Sequence, residues 1–86
     1  MQAIALGEAL SIAEAAATVR EAAATLRQRF APLRVVVVDA FDMRDETPAA
    51  IGLRCRLYLG ASDGHCWTVT HEPAAASGLF ICEAGR

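Results

Sequence analysis

Residues 60–70 constrain the fold more than any other segment, because a tight-turn signal stands there between two runs rich in β-branched and aromatic residues. The sequence Ser62-Asp63-Gly64 has the composition of a three-residue hairpin loop, in which a type I turn is closed by a glycine with positive φ. Gly64 suits that conformation because it lacks a Cβ atom. The sequence therefore predicts an antiparallel hairpin with its loop at residues 62–64.

The alternation of apolar and polar residues selects a register for this hairpin. With the loop at these positions, Trp67 lies opposite Leu59 and His71 lies opposite Cys55. A shift of one residue would bring Trp67 opposite Gly60 and would mix apolar with polar side chains on both faces. We therefore expect Trp67 on the face of the sheet that packs against a helix.

A single long helix is predicted before the hairpin. Ser11 followed by Glu14 forms a capping-box pattern, and Pro32 ends the segment because the residue before a proline disfavours helical backbone. Between these signals, apolar residues recur at spacings of three and four, which is typical of a helix packed on a core. We predict a helix over residues 11–30, with Glu14 on its solvated face. Residues 1–10 either fray, extend this helix or form a short helix of their own.

Four segments with β-strand composition follow the helix, at residues 33–41, 50–59, 65–71 and 79–83. One helix followed by consecutive strands predicts an α+β fold. We expect a two-layer sandwich in which the N-terminal helix packs on an antiparallel meander of three to four strands. No linker or repeat divides the sequence, so a single domain over residues 1–86 is predicted.

Composition restricts the classes of function. The 86-residue chain has a net charge of −2, whereas nucleic-acid-binding proteins present a basic face, so no nucleic-acid partner is expected. Three cysteines without a CxxC pair argue against a disulfide scaffold, and we predict neither a metal nor a cofactor. The N-terminus lacks a positively charged region and no apolar run approaches membrane-spanning length, so a cytoplasmic protein without a membrane partner is expected.

The first predicted strand is apolar on both faces, which implies that both faces are covered. Val36, Val38, Tyr58 and Phe80 would form an apolar strip on the face away from the helix. Such a strip on a small protein often marks a contact with a partner. We expect a second copy of the chain to cover it. The alternative is that residues 1–10 fold back over the strip through Ile4, Leu6 and Leu10.

A pocket between helix and sheet is the competing hypothesis. By strand parity, Asp39, Cys55, His65, Trp67 and His71 share the helix side, where a cavity would accept a small-molecule ligand or support catalysis. His71 opposite Cys55 would form half a metal site or an activated thiol. The alternative reading of that pair is a buried cysteine beside a hydrogen-bonded histidine.

The sequence thus supports two functional hypotheses. The favoured one is a small non-enzymatic interaction or accessory protein that acts as a homodimer or on a protein partner. It rests on the small size of the chain, the two-sided apolar strand and the absence of a catalytic motif. The alternative is a ligand-binding or enzymatic domain that uses the pocket around Asp39, His65, Trp67 and His71.

Overall fold

The chain forms a layer of two helices on one face of a five-stranded sheet. The structure, a computed structural model, describes residues 5–84. The α+β class predicted from the sequence is confirmed. In chain order the elements are α1 (Leu6–Ala15), α2 (Val19–Arg29), β1 (Arg34–Val37), β2 (Ala50–Ile51), β3 (Cys55–Ser62), β4 (Trp67–Thr70), a 3-10 turn (Pro73–Ala75) and β5 (Gly78–Glu83).

The helical segment is interrupted at residues 16–18, so the prediction of one helix over residues 11–30 was wrong. Thr18 is the N-cap of α2, and its side chain accepts the backbone N–H of Glu21 at 3.1 Å. This bond satisfies one of the donors that a helix N-terminus leaves free. Ser11 lies inside α1 and does not cap it. The capping signal that starts a new helix is therefore at Thr18.

Strand β5 lies inside the sheet, between β1 and β3. β1 runs parallel to β5, with Val36 opposite Phe80, and the remaining strand pairs are antiparallel. The predicted antiparallel meander is therefore corrected to a mixed sheet. The segment between β1 and β5 contains three strands, so it is long enough for the crossover that parallel pairing requires. Parallel pairing also suits the valine run of β1, since such strands are apolar on both faces.

A turn divides the predicted strand at residues 50–59. The backbone N–H of Gly52 donates to the carbonyl of Cys55 at 2.9 Å, so β2 folds back along the first half of β3. Leu53 lies in this turn and is 96% exposed, although alternation predicted it on the core face. The prediction for Leu53 was wrong because the alternation of apolar and polar residues in the sequence continues through the turn, so it does not show where one strand ends and the next begins.

The hairpin between β3 and β4 exists, but its register differs from the prediction. Trp67 pairs with Ser62 and not with Leu59, a shift of three residues. An odd shift exchanges the two faces of a strand. Trp67 therefore lies on the face of the sheet opposite the helices, and the predicted pairing of Trp67 with Leu59 was wrong.

Asp63 accounts for the longer loop, which contains residues 63–66. Its Oδ1 atom accepts the backbone N–H groups of His65 and Cys66, both at 2.9 Å. Such aspartate turns compete with strand pairing for the same backbone donors. Gly64 has a φ of 98°, which confirms the predicted left-handed conformation at this position.

Two apolar clusters hold the layers together. The inner cluster joins α1 and α2 to the sheet and includes Leu26, Leu57 and Ile81, none of which is exposed to solvent. Leu6 and Leu10 pack against this inner cluster. The alternative in which they fold over the other face was therefore wrong, and Ile4 lies outside the described residues.

The outer cluster covers the opposite face of the sheet. It contains Met43, Tyr58, Phe80 and Cys82, with Val38, Ala40 and Val69 at its border. Met43 belongs to the loop between β1 and β2, which therefore lies over this face. Tyr58 is 1% exposed and Phe80 is 9% exposed, so these two members of the predicted interface strip are covered by the chain itself.

The indole ring of Trp67 lies against the outer cluster. It packs edge-on against Phe80, with the ring centroids 5.8 Å apart. Gly60 and Gly78 face each other on β3 and β5. A Cβ atom on Gly78 would lie 2.7 Å from the indole, closer than atoms in contact can approach. The two glycines thus leave the recess that the aromatic rings occupy.

We predict that Gly78→Ala lowers the free energy of unfolding by about 1–3 kcal/mol, the usual cost of inserting a methyl group into a packed site. In a Trp67→Ala background the same substitution should cost less, because the colliding ring is gone. Urea denaturation of all four proteins measures this coupling. Gly7→Ala is the matched control, since nothing lies within 4 Å of a Cβ atom there. Equal costs in the two backgrounds would contradict the contact.

Candidate functional site

The residues predicted to share a pocket lie on different parts of the molecule. Cys55 is buried on the inner face, whereas Trp67 lies on the outer face and is 40% exposed. Asp39, His65 and His71 are all exposed. No single pocket between helix and sheet can contain both Cys55 and Trp67, because the sheet separates them.

The predicted contact between His71 and Cys55 is not made. His71 follows β4, whose last residue pairs with Leu59, and its Nε2 atom lies 3.3 Å from the carbonyl oxygen of Thr47. Asp39 uses its side chain locally, since its Oδ1 atom accepts the backbone N–H of Phe41 at 2.8 Å. Both side chains therefore stabilise loops at the surface.

Cys55 contacts Glu14 instead. The carboxylate of Glu14 accepts the backbone N–H groups of Leu53 at 3.1 Å, of Arg54 at 2.9 Å and of Cys55 at 2.9 Å. The Cys55 thiol also donates to this carboxylate, with the sulfur 3.1 Å from Oε2. Glu14 was predicted on the solvated face, and it serves instead as a clamp between α1 and the turn before β3.

The clamp sets the protonation of both its side chains. The hydrogen bond from Cys55, together with those from the backbone, lowers the pKa of Glu14. Burial, followed by the hydrogen bond to Glu14, raises the pKa of the Cys55 thiol to about 12. A thiol with this pKa stays protonated at neutral pH, whereas nucleophilic attack and metal ligation require the thiolate. The Glu14–Cys55 pair is therefore a structural link and not an activated nucleophile.

A cleft of about 400 Å³ opens next to the clamp, at the junction of α1 and α2. Its lining mixes polar and apolar surface in about equal parts and includes Ala13, Leu53 and Glu83. The Arg54 guanidinium at its border donates to the main-chain carbonyls of Glu14 at 3.3 Å and Ala17 at 3.0 Å. The first bond satisfies an acceptor that the last turn of α1 leaves free, and the second holds the segment between the helices. The cleft thus offers both polar and apolar contacts, and the Arg54 cation at its border is already engaged with the protein.

The edge strand β1 has one side that no strand of residues 5–84 pairs with. Val38 donates its backbone N–H toward β5, to the carbonyl of Ile81 at 2.9 Å. Because successive residues of a strand point their backbone groups in opposite directions, Val35 and Val37 direct their N–H and C=O groups away from β5. We call this row of outward backbone groups the open edge.

The side chains along the open edge are apolar. Val36 is 40% exposed and Val37 is 38% exposed. Among the described side chains, Arg27 is the one that hydrogen-bonds to this row, and its Nε atom donates to the carbonyl of Val35 at 3.0 Å. Proteins usually protect strand edges with charges, bulges or a covering segment. At Val37 the described part of the chain gives the open edge no such protection.

Sequence reasoning detected an unpartnered apolar strand but assigned its contact surface to a sheet face. Of the predicted interface residues, Val36 is exposed, Val38 is half-buried, and Tyr58 and Phe80 are buried. The error followed from the expected meander, in which β1 would pair with β2. The run of four valines at residues 35–38 does not indicate the edge, because such a run is typical of strands that are covered on both faces.

Comparison with known proteins gives no functional assignment. The chain matches no protein-family model, and no curated protein and no solved structure is significantly similar to it. Within residues 5–84, no helix has the length and apolar character needed to cross a membrane. In the same part of the chain, His, Cys, Asp and Glu side chains form no group of three that could hold a metal ion. The functional argument therefore depends on the geometry of the chain.

We predict that a thiol reagent at about pH 8 modifies the native protein at Cys66 alone. Cys66 is exposed, whereas Cys55 and Cys82 are buried and burial raises the pKa of both thiols. Titration with a chromogenic disulfide before and after denaturation measures this difference. Cys66→Ser is the control and should abolish the reaction of the native protein. Rapid modification of native Cys55 would contradict the clamp.

We predict that Glu14→Gln destabilises the protein at neutral pH and flattens its response to acid. Since the folded-state pKa of Glu14 is lowered, its carboxylate stabilises the fold above the unfolded-state pKa, and this contribution is lost as pH falls through the folded-state value. Melting temperatures between about pH 7 and pH 3 measure this loss. Glu46→Gln, in an exposed loop, should retain the wild-type profile. An unchanged profile in Glu14→Gln would count against the clamp.

Proposed function

We propose that this protein is a non-enzymatic interaction protein that binds an extended strand of a protein partner along the open edge. The observation that carries the proposal is the open edge itself, where no group of residues 5–84 bonds to the backbone of Val37 and the side chains of Val36 and Val37 are exposed. Strand addition to a sheet edge is a recurring mode of protein recognition. Main-chain hydrogen bonds supply affinity, and the alternate side chains supply specificity.

The distribution of reactive side chains favours binding over catalysis. General acid–base chemistry needs titratable groups within hydrogen-bond reach of one substrate atom. Here His71 contacts a backbone carbonyl, Asp39 caps a turn and Cys55 is held as a protonated thiol. These three side chains are each engaged in holding the fold, so they support an accessory role more than an enzymatic one.

The cleft at the helix junction supports a second candidate function, the binding of a small ligand with both polar and apolar groups. Its volume of about 400 Å³ falls within the usual range for ligand pockets. Ala17 lines this cleft, so Ala17→Leu should fill part of it. Fragment screening by NMR on the wild type and this variant tests the candidate function. A true ligand should shift the resonances of Leu53 in the wild type and should bind the variant more weakly.

We predict that Val37→Pro weakens strand binding by about tenfold or more, because proline removes a backbone donor from the open edge. The ladder to β5 should persist, since Val37 does not donate to it and proline is tolerated at such edge positions. Peptides selected from a random extended library on the wild type would provide the probe, with affinities measured by calorimetry.

Val37→Ala is the matched control for this experiment, because it shortens the same side chain and keeps the backbone N–H. Circular dichroism of both variants establishes that they fold. Selected peptides that bind Val37→Pro as tightly as Val37→Ala would contradict strand addition at the open edge. A library that yields no extended binder would contradict it as well.

A further inference from the structure

We infer that the strand bound at the open edge is an acidic segment of a protein partner, in which carboxylate side chains stand next to a short apolar run. The inference rests on the proposed function and names the chemistry of its partner. Three observations carry it: the arginines that flank the open edge, the hydrogen bond by which one of them ends its row of free backbone groups, and the exposed valines beyond that point.

Two arginines of α2 flank the open edge on the inner face of the sheet. Arg27 lies on this side of the helix, since its Nε atom donates to the carbonyl of Val35 at 3.0 Å. Arg20 lies seven residues earlier, which is about two helical turns, so it is on the same side of α2. Arg29 is on the other side, where it pairs with Glu8 of α1 at 2.6 Å. The side of α2 toward the open edge therefore carries positive charge.

A third arginine flanks the open edge on the outer face. Arg34 begins β1 and shares the parity of Val36, which lies opposite Phe80 of the outer cluster. Arg20, Arg27 and Arg34 are all exposed, and none of the three forms an ion pair with an acid of residues 5–84. The chain as a whole has a net charge of −2. The open edge is thus a locally basic part of an acidic protein.

The acids that stand close to these arginines in the sequence are turned to other groups. Glu21 follows Arg20, but its Oε2 atom accepts the hydroxyl group of Thr18 at 3.3 Å. Asp39 follows β1, and its Oδ1 atom accepts the backbone N–H of Phe41 at 2.8 Å. Charge complementarity across a binding surface favours the matching partner and disfavours the wrong one. The open edge therefore selects an acidic strand and disfavours a basic one.

Arg27 divides the open edge into two parts. At Val37, no group of residues 5–84 bonds to the backbone, so its N–H and C=O groups can pair with a partner strand. At Val35, the carbonyl already accepts the guanidinium, which therefore lies where the partner chain would pass. A guanidinium has five N–H donors, and this bond uses one of them. Its Nη atoms remain as a fork that fits a carboxylate. The partner thus pairs through its backbone at Val37 and through a carboxylate at Val35.

The side chains along β1 specify where the acids of the partner stand. Residues opposite one another in a strand pair lie on the same face of the sheet. A carboxylate opposite Val35 lies on the inner face beside Arg27, and a carboxylate opposite Arg34 lies on the outer face beside that arginine. Val36 is 40% exposed and Val37 is 38% exposed, so apolar side chains suit the two positions opposite them. The partner strand carries two acidic residues next to two apolar ones, in an order set by its direction.

Synthetic peptides of this pattern test the inference. They contain two valines next to two glutamates, in both orders, within a threonine-rich segment. Acetylated and amidated ends leave the glutamates as the only carboxylates. The control peptides carry glutamine or lysine in place of glutamate. Calorimetry should show that the wild type binds the glutamate peptides about tenfold more tightly than the glutamine peptides, and the lysine peptides most weakly. The preference should shrink between about 50 mM and about 500 mM salt, because exposed charges are screened.

Charge substitution at the open edge tests which groups read the peptide. Arg34→Gln should weaken binding of the glutamate peptides by about threefold, and Arg34→Glu by about tenfold with a gain for the lysine peptides. Arg29→Gln is the matched control, because it removes the same charge on the far side of α2 and should leave the preference unchanged. Circular dichroism establishes that each variant folds. If Arg34→Glu does not fold, Arg20→Glu on the surface of α2 takes its place.

The outcomes separate this inference from the proposed function. Equal binding of the glutamate, glutamine and lysine peptides, in a manner sensitive to Val37→Pro, overturns the acidic partner and leaves strand addition intact. Absence of binding by every glutamate peptide also overturns the acidic partner, whereas the random library still decides the proposed function. Glutamate peptides that bind Val37→Pro as tightly as Val37→Ala overturn both.

Two further outcomes would identify a different occupant of the open edge. Binding that requires a free terminal carboxylate, without a preference for glutamate, overturns the acidic segment in favour of a chain end. A wild type that dimerises without peptide, in a manner abolished by Val37→Pro, overturns it in favour of a second copy. A glutamate preference that is lost in Arg34→Glu, kept in Arg29→Gln and abolished by Val37→Pro supports both the inference and the proposed function.

Discussion

The insertion of β5 between β1 and β3 is the constraint on which the rest of the structure depends. Leu79 and Ile81 of β5 are fully buried on the inner face; on the outer face Cys82 is fully buried and Phe80 nearly so. Both sides of this strand are hydrogen-bonded, one in parallel and one in antiparallel fashion. Its central position leaves β1 as an edge strand, and that position creates the surface from which we infer function.

The Glu14 clamp has a complementary role at the other end of the sheet. The Glu14 carboxylate accepts hydrogen bonds from three consecutive backbone N–H groups at the turn before β3. None of the described strands accepts a hydrogen bond from these groups. Hydrogen bonds of this kind to a charged acceptor are among the stronger ones in proteins. The clamp attaches α1 to the sheet while the Thr18 cap starts α2, so the two helices can cover one sheet face despite the break between them.

The sequence allowed the α+β class to be predicted, but it did not allow the order and direction of the strands to be predicted. The helix stripe, the valine run and the Asp-Gly turn report local preferences, and helix, strand and hairpin are present where they predict them, although the helical segment is broken at residues 16–18 and a turn divides the strand predicted at residues 50–59. The pairing of β1 with β5 and the contact of Glu14 with Cys55 join distant residues, which no local pattern reports. Asp63 accepts two backbone donors, lengthens the β3–β4 loop and so moves Trp67 to the other face of the sheet. A period-2 pattern cannot detect this, since both faces of β3 are apolar near Leu59. Asp39 left the candidate site for a separate reason, because its side chain accepts the backbone N–H of Phe41 in a local turn.

The central position of β5 also has a consequence for how the chain folds. In the described part of the chain, β1 has one strand partner, β5, which begins at Gly78 and follows every other strand in the sequence. During folding, contacts between such distant segments form later than local contacts, because a long loop must close before the two segments can meet. Until then the valines at residues 35–38 have neither edge protected, and segments of this composition associate readily with one another. The strand that we propose as a recognition surface in the folded protein is thus a segment open to misassembly while folding is incomplete.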